Sequence, residues 1–266
     1  MTTDKTIQRR YLVVGLYVAL AYGLAWIPWC RSLLSGERLQ GLFSFGPLLA
    51  AFACTVLLHG GHGALDLLKS MGRWRAPLAA YAFALGVPLA SLLLVTGLHM
   101  ALGGSAPQPE ALAKWPAALA AFPLIFVFGG PLGEEAGWRG FLLPTLMRDR
   151  TPLVAALLTG VIWALWHLPL FLAHKMPPPA GLAMVFGSIT FSWLYHYSGR
   201  SVFITMLFHA VGNTLGGQYF FGLFPRGEIG QVVVLRIAVE LAIALSLAVL
   251  LHRMGRTGAP QEPAPR

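Results

Sequence analysis

Along most of this chain apolar residues run on without the polar alternation of a water-facing surface. The runs last about 17 to 25 residues, enough to cross a bilayer as helices. They predict helices over 10–30, 41–59, 77–102, 115–148, 152–173, 181–197, 201–221 and 230–252. The fourth is long and interrupted, because Gly129, Gly130, Pro131 and Gly133 lie inside it. Between the second and third, Leu65, Leu68 and Met71 recur at helical spacing near Trp74, which predicts a short interfacial helix over 64–75. The expected fold is all-α, a polytopic transmembrane helical bundle of about eight spans forming one integral-membrane domain. Its segments are 1–114 with the interfacial helix, a core over 115–221, a last span within 222–254, and a tail over 255–266. That tail is rich in Pro, Gly and Arg, lacks an apolar period and is expected to be disordered.

Composition supports the membrane reading. The chain is 56% hydrophobic and 11% charged, with mean hydropathy +0.67, against about 25% charged residues in soluble domains. The first run follows Arg9 and Arg10, is too long for a signal-peptide core and lacks a small-residue cleavage site, so a retained span is expected. If the N terminus is cytoplasmic, the inner segments hold more than twice the Lys and Arg of the outer loops, which carry Arg31, Arg38, Lys114, Lys175 and Arg226. This bias predicts both termini inside. The net charge of +9 is scattered over short loops, not gathered in a stripe, so no nucleic-acid partner is expected. Cys30 and Cys54 have no CxxC spacing and indicate neither a disulfide framework nor a thiolate metal site.

Three acids fall within spans: Glu134, Glu135 and Glu240. Charged carboxylates in hydrocarbon are costly unless paired or in use. Glu240 follows Arg236 by one helical turn, so a local ion pair is its expected role. Among the histidines, His59, His62, His99, His174 and His252 fall at span ends or in loops, His196 is expected at the interface, and His167 and His209 lie deep. Counting from Arg150 at a hairpin tip, Glu134 is 16 residues before and His167 is 17 after. Antiparallel neighbours therefore carry them to nearly the same depth. His209 and Asn213 share one helix face, and Arg139 follows Glu135 by four residues. Glu134, Glu135, Arg139, His167, His209 and Asn213 are thus expected around one cavity that opens toward the cytoplasm.

Such a set suits peptide hydrolysis. A carboxylate beside an imidazole takes a proton from water attacking a carbonyl, and His209 with Asn213 would stabilise the oxyanion. Arg139 is placed to pair with Glu135 and support the site. Glu134, His167 and His209 would also serve as zinc ligands with an open water position, although HExxH is missing, so the cofactor is either none or Zn. Rival readings are a buried polar network in a non-catalytic scaffold or immunity protein, and an ion- or proton-coupled transporter.

At these residues the chain resembles the CAAX protease and bacteriocin-processing (CPBP, or Abi) family of intramembrane proteases, which includes the type II CAAX prenyl endopeptidases. The motif EExxxR is met by EEAGWR (Glu134, Glu135, Arg139) and HxxxN by HAVGN (His209, Asn213). FxxxH appears as WALWH, with His167 present and Trp163 where phenylalanine is usual, a departure expected to affect pocket shape and not the chemistry. The resemblance covers about residues 115–220. It implies that Glu134 activates water with His167, that His209 and Asn213 stabilise the oxyanion, and that Glu135 and Arg139 support them. It favours a metal-free glutamate mechanism, while substrate does not follow from it; a bilayer and a peptide or membrane-protein substrate are the expected partners, and a bacterial inner membrane is the expected location.

Overall fold

The computed structural model describes residues 2–38 and 41–256; the expected disordered tail lies, from residue 257 on, outside the described residues. Helices account for the fold, and no strand occurs among the described residues. The chain begins with α1 (Thr2–Ala25), α2 (Ile27–Ser35), α3 (Gly46–Met71) and α4 (Leu78–Ala101). Short pieces follow: α5 (Pro109–Leu112), α6 (Trp115–Ala120), α7 (Phe122–Phe128) and α8 (Pro131–Gly137). A π-helical turn over Trp138–Leu142 leads into α9 (Leu143–Leu146), then α10 (Pro152–Trp166) and α11 (Leu168–Leu172). Last come α12 (Pro179–Tyr197), α13 (Val202–Gly216), α14 (Gln218–Phe221), a 3₁₀ turn over Arg226–Glu228 and α15 (Ile229–Arg256).

Three helices are long and apolar enough to cross a membrane, and up to five spans result if each bent pair, at 43° and 56°, is one span. Several expected boundaries move for local reasons. The expected interfacial helix is continuous with α3, which bends at Gly60 where φ is +65°, a conformation that glycine adopts without strain. The expected 152–173 run is cut at His167 into α10 and α11. With 15 residues each, α10 and α13 reach about 22 Å, less than a bilayer's hydrocarbon thickness.

The main core gathers around the broken α7–α9 segment. Tyr17, Trp138, Phe141, Trp163, Trp166, Phe191 and Met206 all bury there, with Trp138 meeting Tyr17 and Trp166 edge to face at 5.8 and 6.1 Å. Close backbone approach is built in at Gly133. A Cβ there would lie 2.7 Å from the Ser44 carbonyl carbon and 3.0 Å from Phe45 Cα, neither of which can swing aside. Gly133→Ala is expected to cost about 1–3 kcal/mol by overpacking. Thermal unfolding in detergent checks this against Gly187→Ala, whose new methyl group meets nothing within 4 Å and which leaves the midpoint at or above wild type.

One polar detail differs from expectation and another goes further than it. His99, expected at a span end without special partners, is fully buried and meets Glu228 Oε2 at 2.8 Å, and Ser105 donates to the same carboxylate. Arg236 and Glu240 pair at 2.9 Å as the spacing predicts. Arg236 also donates to the Gly216 carbonyl at the end of α13, so the ion pair anchors the helix that carries His209 and Asn213.

Candidate active site

The site begins at a backbone break. Gly130 has φ +111°, a conformation that a side chain would strain. Pro131 restarts the helix at its first position, where a missing N–H costs nothing. Glu134 therefore stands in the first turn of α8, where the helix dipole favours negative charge. A Cβ on Gly130 would collide with Glu134 Oε1 and lie 3.7 Å from His209 Nε2, so both atoms border the space that this glycine leaves open.

The adjacent acids have different surroundings. Glu135 Oε1 accepts from Arg139 at 2.9 Å and from His209 Nδ1 at 2.8 Å, and both Glu135 and Arg139 are fully buried. Arg139 lies in the π-helical turn and sits over the Phe191 ring at 4.3 Å and the Trp163 ring at 4.8 Å, contacts worth about 0.5–2 kcal/mol each. Ser188 accepts from the same guanidinium at 3.3 Å. Glu134, in contrast, accepts from Trp163 Nε1 through Oε2 at 2.6 Å and keeps 5% of its surface exposed.

Ring orientations follow from the acceptors. His167 Nδ1 faces the Trp163 carbonyl at 3.0 Å, and a carbonyl only accepts, so Nδ1 carries a proton and Nε2 is the free nitrogen. The same reasoning puts a proton on His209 Nδ1, facing Glu135. Among the described residues, Glu134 Oε1, His167 Nε2 and His209 Nε2 have no hydrogen-bond partner in the protein, and none of the three is sealed as Glu135 Oε2 and Arg139 Nε are.

The structure thus gathers Glu134, Glu135, Arg139, His167 and His209 as the depth argument expected. Two features differ from it. Glu134 does not bond His167 directly; each meets Trp163, Glu134 at the indole N–H and His167 at the backbone carbonyl, with the ring 6.1 Å from His167 and 5.7 Å from His209. Asn213 is exposed at the margin, its Nδ2 donating to the Gly129 carbonyl at 3.0 Å, so one of its two N–H groups ties down the broken segment. As for zinc, no three His, Cys, Asp or Glu among the described residues are grouped to hold a metal ion. Glu134, His167 and His209 therefore do not fit zinc as they stand.

Two contributors were not legible as site residues. Trp163 precedes His167 by one turn on the same helix face, a spacing that places its side chain beside the histidine. The other is α1. Tyr22 in α1 and Trp26 just after it donate to the Ile162 and Trp166 carbonyls in the last turns of α10 at 2.6 and 2.9 Å, while Trp166 Nε1 returns a bond to the Ala21 carbonyl at 3.2 Å. Helix α1 thereby fixes the end of α10, where His167 sits.

Residues 116–215 match the family model described as Type II CAAX prenyl endopeptidase Rce1-like. A CAAX prenyl protease 2 of Methanococcus maripaludis is 24% identical over 137 residues, covering 47% of this chain and 51% of that protein. The chain thus spans about half the length of that relative. The matched residues take in Glu134, Glu135, Arg139, His167, His209 and Asn213 together, and over that segment the chain is similar to the type II CAAX prenyl endopeptidases.

Proposed function

We propose that this protein is an intramembrane endopeptidase that hydrolyses a peptide bond in a membrane-associated peptide or protein. The observation that carries this reading is the convergence, from three separate helices, of one unpaired carboxylate oxygen and two unpaired imidazole nitrogens in an apolar surround. Water held by Glu134 Oε1 and His167 Nε2 gives a proton to Glu134 as its oxygen adds to the scissile carbonyl. His209 Nε2 and the second Asn213 N–H donate to the oxyanion, and each such donor is worth about 3 kcal/mol. For His209 to donate, its ring must carry protons on both nitrogens, and Glu135 at 2.8 Å is the counter-charge. As the C–N bond breaks, the proton on Glu134 passes to the leaving amine. Glu135 and Arg139 hold the frame. The bias of Lys and Arg toward one set of loops supports an inner-membrane orientation with both termini cytoplasmic, and we extend that reading to about eight spans.

Comparative membrane proteomics of wild-type and Glu134→Gln cells tests the assignment and names the substrate, which accumulates uncut in the variant. Equal cleavage patterns in both would overturn the reading. The metal question has its own measurement. Purified protein reconstituted in liposomes is expected to stay active with far less than stoichiometric metal by elemental analysis, and to tolerate chelators. Activity that vanishes on chelation and returns with added zinc would instead make Glu134, His167 and His209 ligands that move together.

A further inference from the structure

Resting on that reading, we infer that Trp163 positions the base, through its indole N–H and not through its bulk. Trp163 touches four of the buried members of the site, Glu134, Arg139, His167 and His209. Its Nε1–H donates to Glu134 Oε2 at 2.6 Å, its backbone carbonyl accepts from His167 Nδ1 at 3.0 Å, and its ring packs edge-on against both histidines. The Arg139 guanidinium lies 4.8 Å from the ring centre. The ring is 6% exposed, so its N–H has no solvent to turn to, and the carboxylate oxygen is its partner.

The consequence concerns which oxygen works. A carboxylate with neither oxygen held rotates about its last torsion, a broad and nearly two-fold well. With Oε2 held by the indole, Oε1 is the oxygen that faces the space left by Gly130 and the Nε2 atom of His209. Water is then received in one geometry, and a base held in productive geometry gains rate without new binding contacts. The phenylalanine usual at this place in the resembled motif fills similar space and has no donor. The substitution that looks like a change of pocket shape in sequence therefore changes the hydrogen-bond chemistry.

The test separates donor from volume. Trp163 is replaced with 3-benzothienylalanine, an isostere with sulfur in place of the N–H, and in a second variant with phenylalanine. Both are expected to lower kcat about tenfold with KM within twofold, and circular dichroism with a cooperative unfolding transition checks that each is folded. A spectroscopic arm is independent of turnover. The wild-type minus Trp163→Phe ultraviolet Raman spectrum is expected to contain a strongly hydrogen-bonded indole N–H band that weakens in Glu134→Ala. Wild-type kcat in the isostere, or a band indifferent to Glu134→Ala, would overturn the inference. Absence of peptide cleavage by the wild-type protein would instead sink the peptidase reading, and the Raman arm would still report on the Trp163–Glu134 bond.

Discussion

Glu134→Gln is expected to reduce peptide cleavage by about a thousandfold or more, the range lost with a general base, while the unfolding midpoint stays near wild type. Glutamine is the informative replacement because its amide oxygen still accepts from Trp163 Nε1, so the 2.6 Å contact survives in kind and only the basicity is removed. Alanine would leave the buried indole donor unpaired, at about 1–3 kcal/mol, and would mix a stability defect with a catalytic one. His167→Ala is expected to lose activity to a similar degree, since Nε2 is the other atom placed to hold water. The measurement is turnover of a quenched peptide by protein in liposomes, with circular dichroism on the same samples. Full turnover in a folded Glu134→Gln protein would remove Glu134 from the mechanism.

Its neighbour should behave in the opposite way. Glu135→Ala is expected to destabilise the protein by about 3–5 kcal/mol, the cost of stranding a buried charge when its partner is deleted. Arg139 would remain at zero exposure with Ser188 as its remaining hydrogen-bond partner, and His209 Nδ1 would lose its acceptor. Arg139→Leu should fall in the same range. The double change Glu135→Ala with Arg139→Leu should cost less than the two single changes added, because neither member of the pair is left buried alone. Denaturant or thermal unfolding in one detergent reads all four proteins. A Glu135→Ala protein that unfolds with wild type would show that the pair is not the frame of the site.

These paired outcomes mark how far the chain itself could be read. Two adjacent glutamates look alike in sequence, and only the motif spacing to Arg139 hinted that the second was the supported one. Depth counting brought Glu134 and His167 to one level because helical rise is a local property, fixed at about 1.5 Å per residue whatever the neighbours. It could not show that both would bond Trp163 and not each other, since rotation about each helix axis depends on packing. His99 was misjudged for the same reason. Its place at a helix end says nothing of Glu228, which is brought to it from far along the chain.

The apolar run lengths, the glycine and proline break, and three short polar motifs determined an apolar helical protein suited to a membrane and the residues that gather in its buried polar cluster. These are properties of hydropathy and local backbone geometry, and both are written residue by residue. Tertiary structure decided which oxygen of which glutamate is free, that Arg139 is held between Trp163 and Phe191, and that α1 clamps the end of α10. Each of these depends on contacts between residues distant in sequence, where side-chain rotamers and close approach are set by the packed whole.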